Sequence, residues 1–277
     1  AGRIAILELL PFSISETRRR RPPSLEQTVW NGGYPEPSLH PRKRDLWISS
    51  YIQTYIERDV RQLQNVRDLR SFGTFLGLCA ARHGQAFSAA ALAAECGISL
   101  PTAKGWAGIL EASYLVRFLP PYFKNYGKRL VKTPKIYFVD PALACALTRQ
   151  PSGETALAGP MAGPLLEGLI VSEAIKGFAA AGKRADVFFW RSHDGLEVDL
   201  LVQIGDKLYP VEIKMTATPS LKHLEPLNRF KQTARKDSSD LGLLVCRVDK
   251  TRPLPSSNLA MPWLEFPKWL GTALGKD

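Results

Sequence analysis

The sequence predicts an α/β protein: an all-α/winged-helix first domain, then a second domain in which helices cover a sheet. Three observations carry this. Two helical patterns meet at Cys96-Gly97-Ile98-Ser99 and run on into strand-like sequence. Further on, the order becomes helix, three strands, helix, strand. Between the two, residues 150–161 are rich in Gly, Pro and Ala and read as a linker. The expected divisions are 1–45 for a connector, 46–148 for the helical and winged-helix domain, and 160–277 for the α/β domain.

Residues 1–45 carry Pro11, Pro22, Pro23, Pro35, Pro37 and Pro41 and little periodicity, so a strand remnant and an irregular connector are expected. In 45–64, Trp47, Ile48, Tyr51, Ile52, Tyr55, Ile56, Val60 and Leu63 recur at three- and four-residue steps, which predicts a helix. A second helix is expected over 69–82. An Ala-rich helix over 88–95, a glycine turn and a helix over 100–111 with Ser99 as N-cap form a helix-turn-helix. Strands near 114–119 and 135–139, with the basic stretch 124–132 between them, complete a two-stranded wing. A helix over 165–181, strands over 187–190, 198–203 and 207–215, a helix over 221–235 and a strand over 241–247 build the last domain.

The net charge is +11 and the isoelectric point about 9.6. Such a chain is biased toward polyanions. The charge is clustered, in Arg18 to Arg21, in Arg42 to Arg44, and in a run that joins Lys135 to Lys124, Lys128, Arg129 and Lys132. Those last four, with Lys104 of the second turn helix, are the candidate nucleic-acid contacts, and DNA is the expected partner. No apolar run reaches the roughly 18 residues of a membrane helix. Cys79, Cys96, Cys145 and Cys246 have neither metal nor redox spacing, which points to reduced thiols in a cytoplasmic protein. The first residue is Ala1, so the chain is expected to begin inside a longer protein; an oligomer is left open. No G-x-x-x-x-G-K-S/T occurs, so this chain holds no P-loop for ATP.

A two-residue turn at Gly205-Asp206 makes paired strand residues sum to 411, which sets Asp199 opposite Glu212 with Lys214 on the same face. Val198, Leu200, Val202, Val211 and Ile213 would then form the core face. Facing carboxylates repel unless a cation lies between them, and oxygen ligands suit Mg²⁺ or Mn²⁺. Glu167 shares an apolar helical stripe with Ile170, Val171, Ala174 and Phe178 and so points inward. Pro210 threatens the assumed register. The bland reading of the same residues is a surface hairpin in which Glu197 and Glu212 pair with Lys214.

Glu167, Glu197-Val198-Asp199 and Val211-Glu212-Ile213-Lys214 resemble the Glu, Asp and Glu-x-Lys signature of the PD-(D/E)xK nuclease superfamily. Four further stretches resemble prokaryotic AAA+-type ATPases whose C-terminal half carries the domain of unknown function 4143. They are Gly2-Arg3 with Leu10-Pro11-Phe12-Ser13 and Glu16, Gly33-Tyr34-Pro35-Glu36 with the segment 51–60, Pro134 to Asp140, and Phe189-Trp190-Arg191 with Glu197 to Asp199. The resemblance implies a restriction-endonuclease-like C-terminal domain and the ATPase core of a parent chain as partner. It implies a metal held by Asp199, Glu212, the Ile213 carbonyl and Glu167, with Lys214 activating water for phosphodiester hydrolysis. The rival expectation is a non-catalytic DNA- or protein-binding assembly module coupled to the ATPase.

Overall fold

The computed structural model describes residues 8–17, 23–54, 68–123 and 133–275. The chain divides into two compact units, a mostly helical one and a C-terminal one built on a mixed sheet. The four cations of the expected wing, Lys124, Lys128, Arg129 and Lys132, lie outside the described residues.

Among the described residues the helical unit contains residues 17, 23–54, 68–120 and 133–169. The proline-rich stretch expected to be irregular is helical. After α1 (Ile14–Thr17), whose last residue alone falls in this unit, come α2 (Leu25–Asn31), α3 (Pro35–Leu39) and α4 (Arg44–Tyr51). Ser24 and Gln27 form a capping box on α2, and Pro35 sits in the first turn of α3, where its missing N–H costs nothing. Arg44 is buried; its Nε donates to the Trp30 carbonyl at 2.6 Å and its guanidinium lies 3.4 Å from the Trp30 ring centre. The buried Asp140 carboxylate accepts from the Gly33 and Ala142 amides at 2.7 and 2.9 Å, tying the α2–α3 turn to a later helix start.

α5 (Leu69–Ala81), the two-residue strand β1 (Gln85–Ala86), α6 (Ala89–Cys96), α7 (Leu100–Ala112), β2 (Val116–Leu119) and β3 (Lys135–Phe138) follow. Gly97 ends α6 in the left-handed region (φ 65°), and the Ser99 hydroxyl accepts the Thr102 amide to start α7. The small sheet has three strands in the order β1-β3-β2, all antiparallel, where the sequence suggested two. β1 is too short to carry a period. α8 (Pro141–Leu147) and α9 (Gly153–Ala158) come next. α9 occupies the expected linker. Its cap is Ser152, and its first residue must be glycine, because a Cβ there would lie 2.5 Å from the Glu26 carbonyl.

The unit boundary falls inside α10 (Ala162–Ala180), at Leu169/Ile170. The C-terminal unit has a six-stranded sheet in the order β4-β5-β6-β7-β9-β8. β4 (Val187–Arg191), β5 (Glu197–Ile204) and β6 (Lys207–Ile213) are antiparallel neighbours. α11 (Glu225–Ala234) supplies the crossover that lets β7 (Gly242–Cys246) run parallel to β6. β9 (Asn258–Pro262) runs parallel to β7, β8 (Arg252–Leu254) closes the edge, and α12 (Phe266–Ala273) ends the unit.

Leu227 and Phe230 of α11 pack with Trp190, Leu201, Leu208 and Leu244 on one sheet face, each buried side chain worth about 1.5–3 kcal/mol over exposure. On the other face Tyr209 meets Trp269 of α12 edge-on at 5.6 Å. α12 also packs on α10, where a Cβ at Gly177 would come within 2.6 Å of Leu270. Among the described residues no helix is long and apolar enough to cross a membrane. The four cysteines are free; burial pushes the Cys79 and Cys145 thiols up to about 12, which keeps them protonated and inert.

Candidate functional site

The site is built on the β5–β6 hairpin. Gly205 has φ 61° and Asp206 does not share it, the turn with positive φ at its first central residue only. The ladder runs from Ile204↔Lys207 to Leu200↔Val211 with every pair summing to 411, and it ends one step before the expected Asp199–Glu212 pair. Pro210 pairs with Leu201 without a bulge. Two-residue hairpins close on a hydrogen-bonded pair and pairs then alternate, so the odd-numbered residues of β6 aim their N–H at β5. Pro210 aims toward β7, whose ladder with β6 begins only at Val211↔Leu243. Its missing donor falls where no ladder bond is due.

β5 does slip against its other neighbour. Phe188 pairs with Leu201 but Trp190 with Val198, so β5 carries one extra residue between them. The expected core face is corrected accordingly: Val198 shares a cluster with Leu201 and Leu208 rather than strict alternation with Leu200 and Val202. Asp199 lies in this bulge. Continued alternation would give the Ile213 amide to the Val198 carbonyl; it goes instead to Asp199 Oδ2, at 2.8 Å. The carboxylate thus replaces a ladder bond at the point where β5 and β6 part.

Lys214 follows directly on β6. Its amide is anchored on the Val245 carbonyl at 3.0 Å, and its Nζ lies 3.0 Å from Asp199 Oδ2 and 2.6 Å from Glu212 Oε1. Asp199 and Glu212 are 7% and 3% exposed. Burial acts to lower the pKa of Lys214, but the charges of Asp199 and then Glu212 outweigh it, and the net shift is upward. Lys214 is therefore a fixed ammonium between two buried carboxyl groups. The carboxylates of Asp199 and Glu212 and the Ile213 carbonyl form a donor set of oxygen only. This fits a hard divalent cation as a further neighbour.

Glu167 has a different environment. It belongs to the helical unit, with its side chain 15% exposed; Oε1 is 2.8 Å from Lys135 Nζ and also accepts from the Tyr137 hydroxyl. Lys135 and Tyr137 are two apart on β3 and share a face. Among the described residues no three His, Cys, Asp or Glu side chains gather as a metal-type group. Lys104 is exposed on α7 and is that helix's one cation; Leu100, Gly108 and Ala112, at four-residue steps from it, are exposed too. An open cleft of about 710 Å³ lies between the β4–β5 turn and α11; Asp194 and Arg229 face each other across it at 3.4 Å.

Two buried groups have no place in the expectations from sequence. His83 Nδ1 accepts the Phe138 amide, its Nε2 makes no hydrogen bond, and burial pushes its pKa down to about 4. Glu173 and Lys176 form a buried pair on α10. A Glu and a Lys three apart in the largely apolar second half of this helix were the available signal for the pair. None existed for His83.

Residues 22–154 match the family described as Domain of unknown function (DUF8612), and residues 162–266 the family described as Domain of unknown function (DUF4143). The chain thus joins a DUF8612 region to a DUF4143 domain. It is homologous to uncharacterized proteins of Mycobacterium tuberculosis and Mycobacterium bovis, with 31% identity over 267 residues, 95% of its length. The chain spans 57% of the length of these relatives. No solved structure matches it.

Proposed function

We propose that the C-terminal unit is a PD-(D/E)xK nuclease-like module that hydrolyses DNA phosphodiesters with Mg²⁺ or Mn²⁺, working with an AAA+-type ATPase core in a longer chain. The observation that carries this is the convergence of Asp199, Glu212 and Lys214 at the parting of two strands, in a unit ordered helix, three strands, helix, strand. Asp199 and Glu212, with the Ile213 carbonyl, would hold the ion, which when bound offsets phosphate charge and lowers the pKa of a water. Glu167 would join only by leaving Lys135 and Tyr137. Lys214 orients the attacking water and meets charge developing on the phosphate. Arg229, exposed in the cleft between the β4–β5 turn and α11, would supply a phosphate contact. The helix-turn-helix and its sheet are read as a winged helix that positions duplex DNA, with Lys104 and the basic stretch as contacts.

One observation favours a second reading, a non-catalytic assembly module. The outward stripe of α7, Leu100, Lys104, Gly108 and Ala112, suits a protein surface better than phosphates. The test is to titrate Mn²⁺ calorimetrically and incubate the chain with supercoiled, linear and branched DNA. Lys214→Ala should abolish cleavage and leave Mn²⁺ binding largely intact, whereas Asp199→Ala should remove both. Absence of both binding and cleavage in the unaltered chain would overturn the nuclease reading and favour the second.

A further inference from the structure

We infer that residues 12–16 are a strap whose backbone is read by the buried pair Glu173 and Lys176, so that the C-terminal unit is assembled from separated pieces of chain and is held to the segment that precedes α2. The unit includes residues 8–16 and 121–123 as well as 170–275, whereas the family match covers 162–266.

The strap shapes itself first. Ser13 and Glu16 form a capping box: the Ser13 amide and hydroxyl donate to Glu16 Oε2 at 2.7 and 2.9 Å, and the Glu16 amide donates to Ser13 Oγ at 3.3 Å. That turn presents Ile14, 4% exposed, to the unit's interior. It also leaves one main-chain donor and one acceptor facing α10. Glu173 Oε2 accepts the Ile14 amide at 3.0 Å, and Lys176 Nζ donates to the Phe12 carbonyl at 3.0 Å. The two side chains are 3.0 Å apart, 0% and 6% exposed.

A buried ion pair is costly, and one used only to hold a helix would be as well replaced by apolar residues. Here each partner makes its second bond to the strap's main chain, so that removing the strap leaves the pair intact but one hydrogen bond short on each buried charge. The pair lies roughly two turns along α10 from Glu167, and α10 is one continuous helix. Tension on the strap is therefore tension on α10. The same unit receives a second outside piece: the Tyr122 amide donates to the Phe189 carbonyl at 2.6 Å, and the Tyr122 ring packs edge-on against Phe188 at 5.6 Å.

The test uses the full chain and amide hydrogen exchange. In the unaltered protein the Ile14 amide and its neighbours to Glu16 should be protected. The charge-balanced double variant Glu173→Gln/Lys176→Met should lower that protection at least about tenfold. Ile14→Ser, made on the strap, should reproduce the pattern. If either variant also releases β5 to β7, the strap is needed for the unit's fold, which supports the inference in its stronger form. An unprotected strap in the unaltered chain would overturn it. So would a double variant that opens the sheet while Ile14→Ser changes nothing, since the pair would then serve only the helix.

Discussion

Replacing Lys214 by Met takes one cation out from between two carboxyl groups that are 10% and 3% exposed at their side chains. Breaking a fully buried ion pair by removing one partner costs about 3–5 kcal/mol. The Lys214 side chain is 37% exposed, so solvent already screens part of its field, and the expected loss falls to about 2–3 kcal/mol. That is roughly 30- to 150-fold faster exchange of core amides in β6 and β7.

The pH dependence follows from linkage. In the unaltered chain the pKa of Lys214 is raised, so its contribution is complete below the ordinary lysine value of about 10.4 and is lost only as pH rises through the raised one. From pH 5 to 8 its contribution is constant, so the loss should be in full effect at neutral pH, and millimolar Mn²⁺ at pH 8 should restore part of it. Amide exchange with and without Mn²⁺ reads this directly. A penalty under ~1 kcal/mol would refute a cation held between two carboxylates.

Gly168→Ala should cost about 1–3 kcal/mol, because its Cβ would lie 2.0 Å from His83 Nε2 in a closed interior; a double-mutant cycle with His83→Ala should recover most of the loss. His83 itself, with its pKa near 4, makes the folded chain bind fewer protons than the unfolded chain, so stability is lost as pH falls from about 6.5 toward 4, by up to about 1.4 kcal/mol per unit. Urea unfolding of His83→Gln should lack that acid slope. Changing Lys124, Lys128, Arg129 and Lys132 together to Ala should reduce the salt slope of duplex binding by roughly 3–4 units; an unaltered slope would place the DNA contact elsewhere.

The helices around Gly97 were legible in sequence because local chemistry settles them: a left-handed glycine ends one and a serine cap starts the next. The short helices of the first fifty residues were not, although their signals were present. Ser24 with Gln27, and Pro35 in a first turn, mark helix starts, but a proline seen without its partners reads as a break. β8 and β9 escaped for another reason. Three residues containing Pro253, and five ending in Pro262, carry no alternation; β9 is a strand because β7 offers it an edge, and β8 because β9 does.

The site divides along the same line. The hairpin register was legible as far as Leu200↔Val211 because a two-residue turn fixes the pairs next to it, and Pro210 left it intact because of the strand side on which its missing N–H falls. The bulge at Asp199 was not, since it depends on a side chain taking the Ile213 amide from a ladder that alternation alone would have continued. Glu167 is the converse case. Its inward stripe was readable, but an inward carboxylate specifies only that some cation meets it, and the sequence has many. Lys135, thirty-two positions upstream on a strand of another sheet, is that cation. Periodicity could say which way the carboxylate points, but its partner depends on how the chain folds back. A metal reading of Glu167 therefore requires Lys135 and Tyr137 to release it. Lys135→Met, which removes the competing ammonium, should tighten Mn²⁺ binding if Glu167 is a ligand. If Mn²⁺ affinity is unchanged, Glu167 belongs to the helical unit's own polar cluster and Asp199 and Glu212 act without it.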